Sequence, residues 1–274
     1  MDINFVLIND SNRESFRSVF PDDIEMTGNR IALAAYNDEG YVLGSVSCVL
    51  VAYQYNIDWI YVHPKVRRQG IGIRLLDRIV RAIMETGEIF PITARFEFSE
   101  DDREMHTFFL SCNYMITNYS HERYYVTTDD IRGSSALHRA GNTETTSQLF
   151  FEKPEEEQKK ILAMLSYEQT YDVEDYDRWK ECCVPELCRC VYVKNNLVDL
   201  ILTQKHADGN LELAYLYGKY PRGLFELLSS TVSEMERLYP QATLTFEAMS
   251  DESEQLAKHL FPKAKTVHIY EAEF

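Results

Sequence analysis

The chain has 274 residues, 45% hydrophobic and 26% charged, enough for one large folded domain or two of ordinary size. Its 28 basic and 44 acidic residues leave a net charge of −16, which disfavours nucleic acid and anionic membrane surfaces and suits a cationic small molecule or peptide. No apolar stretch is long enough to span a bilayer, and Met1–Asp10 lacks the basic start and apolar centre of a signal peptide, so a cytoplasmic location is expected.

Through residue 127 the pattern alternates strands and helices. Asn4–Ile8 reads as a short strand, and Ser11 with Glu14 suggests a capping box opening a helix. Ile31–Tyr36, Tyr41–Tyr53 and Tyr55–Val62 are rich in β-branched and aromatic residues and read as strands. From Gly70 to about Thr86 the apolar Ile73, Leu76, Val80, Ile83 and Met84 follow helical spacing, and Gly87 ends the run. Ile92–Phe98 is a strand, Asp101–Ser111 a helix, and Tyr114–Tyr119 with Arg123–Thr127 a closing pair of strands.

Residues 129–147, rich in Gly, Ser and Thr, read as a linker between a first domain, 1–128, and a second, 148–274. The second opens with a strand at Gln148–Phe151. A helix follows with Pro154 near its first position and Glu155–Glu157 in its first turn, as the helix dipole prefers. An acidic helix spans about Val173–Cys183, and strands follow at Leu187–Lys194, Leu197–Gln204 and Leu211–Tyr217. Then come helix Gly223–Leu238, strand Ala242–Ala248, helix Asp251–Leu260 and strand Lys265–Glu273. Both halves share one element order, which predicts an α/β (α+β) fold used twice in tandem. Four of the six cysteines (Cys182, Cys183, Cys188 and Cys190) lie close together, but without the paired knuckles of a zinc site. Reduced, mostly buried thiols and no metal are expected.

The chemistry concentrates where the strand ending at Val62 runs through Arg67-x-x-Gly70-x-Gly72 into a long helix. Glycines let several backbone N–H groups converge, the helix start adds positive partial charge, and Arg67 and Arg68 add donors. Such a loop suits a pyrophosphate. The segment, with its Val62-His63-Pro64 lead-in, resembles the acetyl-CoA signature of the GNAT superfamily of N-acetyltransferases. The resemblance extends over roughly residues 3–127 by element order. It implies two tandem GNAT-like domains, each a mixed, mostly antiparallel sheet flanked by helices, with acetyl-CoA as co-substrate. The pantetheine arm would pair with Ile60, Tyr61 and Val62, and Arg67, Arg68, Gln69, Gly70, Ile71, Gly72 and Ile73 would cradle the pyrophosphate.

The implied reaction is direct attack of a primary amine on the thioester in a ternary complex, with backbone N–H groups around Ile60–Val62 as oxyanion donors. Two carboxylates are candidates for the base: Asp58, expected on one strand face with Asn56, Ile60 and Val62, and Glu97 on the next strand. His63 reads as structural, and His106 as exposed on its helix. Phe109 stands where the family often has a tyrosine that protonates the leaving thiolate, leaving Tyr114, Tyr119 or solvent for that step. The second half keeps one glycine and one arginine in a shorter loop and reads as degenerate, binding no coenzyme A. The alternative reading is a coenzyme-A-binding pseudoenzyme or sensor whose second half engages a protein partner. Aminoacyl transfer from tRNA is disfavoured because both halves are acidic.

Overall fold

A computed structural model describes residues 3–22, 24–51, 53–99, 103–138, 147–168, 176–206, 208–219 and 221–274. The chain forms two compact units, Met1–Tyr119 with Ile269–Phe274, and Ser120–His268.

In unit 1, β1 (Ile3–Leu7), β2 (Arg30–Asn37), β3 (Val42–Val51) and β4 (Gln54–Val62) form an antiparallel series. β5 (Ile92–Phe98) joins β4 in parallel, reached through helix α1 (Ile71–Glu85). Helix α2 (Glu104–Ser111) follows β5. α1 buries Ile71, Leu75, Leu76, Ile79, Val80 and Ile83 on the sheet. Each such side chain contributes about 1.5–3 kcal/mol, so this face fixes the helix. Ile73 and Met84, expected on the core face, are exposed instead.

The expected capping box at Ser11 does not form. Asn9, Ser11 and Asn12 bond one another in tight side-chain turns, and Glu14 pairs with Arg17, so only a short 3₁₀ turn, Arg13–Phe16, appears. Met115–Val126 is one continuous strand, β6, where two strands were expected. Its residues 115–119 lie in unit 1 and 120–126 in unit 2.

The residues read as a linker are helical at their start: α3 (Thr128–Gly133) carries a Thr127–Asp130 capping box and α4 (Ser135–His138) follows. Ile131 and Leu137 are buried, which explains the order there, while 139–146 fall outside the described residues. Unit 2 continues with β7 (Gln148–Leu149), α5 (Glu155–Glu168), α6 (Tyr176–Cys182), β8 (Arg189–Val193), β9 (Asn196–Lys205) and β10 (Leu211–Gly218). It ends with α7 (Pro221–Leu238), β11 (Leu244–Glu247), α8 (Asp251–Leu260) and the start of β12 (Lys265–Glu273). Of the expected acidic helix, residues 173–175 fall outside the described residues.

The units repeat one pattern. In each, an antiparallel pair carries a bulge, at Asp58 between β3 and β4 and at Ala214 between β9 and β10. In each, the bulged strand meets the next one in parallel over two residues only, Tyr55–Asn56 with Ile92–Thr93 and Leu211–Glu212 with Leu244–Thr245. The exception is β12, whose residues 269–273 lie beside β5 in unit 1. Phe274 N–H donates to Ile92 O at 3.0 Å, and Ala272 is fully buried in the unit 1 core. The second domain was expected to keep this strand.

Among the described residues no helix is long and apolar enough to cross a membrane. All six cysteines are free; Cys48, Cys183, Cys188 and Cys190 are buried, Cys112 is half-buried and Cys182 is exposed. Burial pushes the Cys48 thiol up to about 12 and that of Cys190 to about 11. No group of three or more metal-ligating side chains occurs among the described residues.

Candidate active site

Beyond Asn56 and Thr93 no further pairing joins β4 to β5 among the described residues, so the strands split. His63 N–H donates to Leu43 O at 2.8 Å, which sets the phase of the β3–β4 ladder. By the alternation of an antiparallel pair, the N–H and C=O groups of Ile60 and Val62 then turn away from β3, into the split. Val62 O accepts from Arg67 Nε at 3.0 Å, in agreement with that direction.

The split opens into a cavity of about 350 Å³. Its walls include Ile60, Tyr61, Val62, Arg67, Arg68, Gly70, Ile71, Gly72 and Ile73, nine of the ten residues expected at the cofactor; Gln69, exposed in the loop, is not in the wall. Gly70 caps α1 at φ 76°, and Arg68 is also left-handed at φ 62°. Gly70 has no side chain to offer the first-turn N–H groups of Ile71, Gly72 and Ile73, so these remain for an anion. A Cβ on Gly72 would meet Phe108 Cε2 at 2.9 Å, so only glycine lets the helix start approach α2 this closely. The exposed Ile73 is explained here, because it edges the cavity.

Sequence reasoning missed the opposite wall, which α2 supplies through Glu104, Met105, Thr107, Phe108 and Ser111. Glu104 lies 3.4 Å from Arg67 Nη1 and 3.5 Å from Arg68 Nη2, bridging both loop arginines. These pairs are exposed and individually weak. Arg67 also lies over the Tyr61 ring at 5.9 Å.

The bulge at Asp58 corrects the expected strand face. Period-two alternation fails there, because the extra residue returns the chain to the same side. Ile60 and Val62 therefore pack with Tyr55 and Ile57 against α1, while Trp59 and Tyr61 pack on the other face with Val19 and Phe20. Asp58 belongs to that second face. Its Oδ1 accepts from Ser47 Oγ at 2.6 Å and its Oδ2 pairs with Arg30 Nη1 at 2.5 Å. Beside it, Thr93 Oγ1 donates to Asn56 Oδ1 at 2.9 Å. On β5, Ile92, Ala94 and Phe96 enter the α1-side core, so Thr93 and the exposed Glu97 share the face of Asn56 and Asp58. Neither Asp58 nor Glu97 lines the cavity.

His63 caps the 3₁₀ turn Pro64–Val66 through Nδ1, in keeping with a structural role. His106 is half-buried against Phe98 and Tyr270, not exposed as expected. Phe109 is buried and stacks on Phe96 at 5.4 Å. The Tyr114 hydroxyl is buried without a partner, and burial pushes its pKa up. Tyr114 is outside the cavity wall, and the side chain of Tyr119 lies outside the described residues.

Comparison with known proteins bears on the family and the fold. Residues 28–116 match the family described as Acetyltransferase (GNAT) domain. No curated protein matches the sequence. Among solved structures, a tandem GNAT protein from the clavulanic acid biosynthesis pathway, solved without acetyl-CoA, is similar with a TM-score of 0.70 and 13% identity, over 99% of this chain and 98% of that one. A GCN5-related N-acetyltransferase from Sphaerobacter thermophilus is similar with a TM-score of 0.66 and 14% identity, over 96% of this chain and 84% of that one. A glucosamine N-acetyltransferase region of a fungal multi-domain GH3 β-N-acetylglucosaminidase reaches a TM-score of 0.70 at 11% identity, over 100% of this chain and 38% of that one. Residues 28–116 are thus a GNAT acetyltransferase domain, and the chain carries the tandem GNAT fold over its full length.

Proposed function

We infer that unit 1 transfers an acetyl group from acetyl-CoA to a primary amine of a small molecule or peptide. The observation that carries this reading is the β4–β5 split leading directly into the uncapped helix start at Gly70. A pyrophosphate fits the first-turn N–H groups and Arg67–Arg68, and the pantetheine arm fits the outward-turned backbone of Ile60–Val62. The split leaves the thioester open to the opposite sheet face, where Asp58 and Glu97 stand.

There the amine gives its proton to one of these carboxylates and its lone pair attacks the thioester carbon. The N–H groups of Ile60 and Val62 offer donors for the oxygen that becomes negative. The carbon–sulfur bond then breaks, and with Phe109 lacking a hydroxyl the departing thiolate takes its proton from water. The net acidity of the chain favours a cationic acceptor.

Release of free thiol from acetyl-CoA across a panel of amines tests this. Asp58→Asn or Glu97→Gln is expected to lower turnover about 10²–10⁴-fold while coenzyme affinity holds. Tight acetyl-CoA binding without thiol release for any amine would instead establish the cofactor-sensing reading, which the buried Phe109 favours.

A further inference from the structure

Unit 2 repeats the split of unit 1 without its loop. Between β4 and α1 the chain has the eight residues 63–70; between β10 and α7 it has only 219 and 220. A cavity of about 370 Å³ nevertheless remains beside α7, α8 and the diverging β10 and β11. Leu213, Leu228, Val232, Phe246, Leu256 and Phe261 give it an apolar wall. The cavity opens to solvent past Met249, and apolar side chains facing such a space lose the burial that a closed core would give them. A unit kept only as scaffold is expected to close it.

Two hydroxyls give the cavity polarity. Thr203, 0% exposed, and Thr231, 3% exposed, line it, and neither Oγ1 has a hydrogen-bond partner. A buried hydroxyl left unpaired is destabilising, and two in one apolar space imply a group that they serve. The charge at the margin narrows the choice. Ser250 and Ser253, also in the wall, form the capping box of α8, so this helix start is already satisfied. Its first turn carries Asp251, Glu252 and Glu254. Glu247 in the wall is already ion-paired with Arg123. Among the described residues of the wall there is no lysine, arginine or histidine, and its one charged side chain is the carboxylate of Glu247, so a carboxylate or phosphate finds no cation to pair with there.

We propose that this cavity binds an uncharged medium-chain acyl compound, such as an amide or ester, with its chain on the apolar wall and its carbonyl at the Thr203 and Thr231 hydroxyls. This site is distinct from the coenzyme cavity of unit 1 and needs no pyrophosphate.

The test is titration of the full chain with octanamide by calorimetry, in the presence of saturating acetyl-CoA to fill unit 1. Saturable binding of one octanamide per chain is expected. Octanoate and octylamine should bind at least about tenfold more weakly, since burying an unpaired charge is costly. Thr203→Val and Thr231→Val keep the side-chain shape and should each weaken octanamide about five- to tenfold. The melting temperature of the ligand-free variants should hold or rise, because an orphan hydroxyl is removed. Three results would overturn the proposal: no saturable octanamide binding, unchanged affinity in both valine variants, or octanoate binding as tightly as octanamide.

Discussion

Gly72 and Glu104 face each other's elements across the unit 1 cavity, and each makes a distinct demand on the coenzyme proposed to bind there. Any side chain at Gly72 strikes the Phe108 ring, and Gly72→Glu also sets a carboxylate at the anion-binding helix start. Calorimetry with acetyl-CoA should show binding abolished in this variant, with circular dichroism unchanged. Glu104 acts in the opposite sense. It holds Arg67 and Arg68, the cations a pyrophosphate needs, so Glu104→Gln should tighten acetyl-CoA several-fold and steepen the salt dependence of binding. Weaker binding in Glu104→Gln would show that this carboxylate positions the arginines instead of competing for them. These residues also mark what was legible in the sequence. The Arg67–Gly72 loop could be read because backbone recognition of phosphate demands glycines at fixed spacing. The α2 wall could not, since Met105, Phe108 and Ser111 contact the cavity through ordinary helical side chains that no motif distinguishes.

At the level of elements, alternation and helical spacing located nearly every strand and helix, but two features depend on partners and not on local pattern. One is the bulge at Asp58, set by register against β3, which moved Ile60 and Val62 to the α1 face. The other is β12, whose apolar alternation marks a strand without saying which sheet receives it. Its end packs Tyr270 on Phe96 at 6.0 Å and Phe98 at 4.7 Å, and pairs Glu271 with Arg95 at 3.3 Å, all in unit 1. Ala272→Asp, far along the chain from the loop, should therefore destabilise unit 1 by about 2–4 kcal/mol and remove acetyl-CoA binding with it. The exposed Glu273→Ala is the control and should change neither; thermal melts with and without acetyl-CoA decide it. Loss of stability without loss of coenzyme binding near the ordinary temperature would mean that β12 is dispensable to the site.

Across the whole molecule the repeat was visible as element order, and the structure deepens it: both units keep the bulge, the two-residue parallel contact and the split. What differs is the connection into the long helix. With two residues in place of eight, unit 2 has no room for several N–H groups to converge on a pyrophosphate. Titration should therefore saturate at one acetyl-CoA per chain, and a second equivalent would show that unit 2 binds the coenzyme by another route.

The return of residues 269–274 to unit 1 also bears on the chain's synthesis. Proteins made vectorially usually fold their amino-terminal part first, as soon as it clears the ribosome. Here that part waits for a strand made after the whole of unit 2 has been translated. A ribosome-bound nascent chain stalled at residue 260 should fail to be retained on immobilised coenzyme A, although it carries every residue of the Arg67–Gly72 loop, whereas the released full chain is retained. Retention of the chain stalled at residue 260 would show that unit 1 completes its loop and cavity without the strand at 269–273.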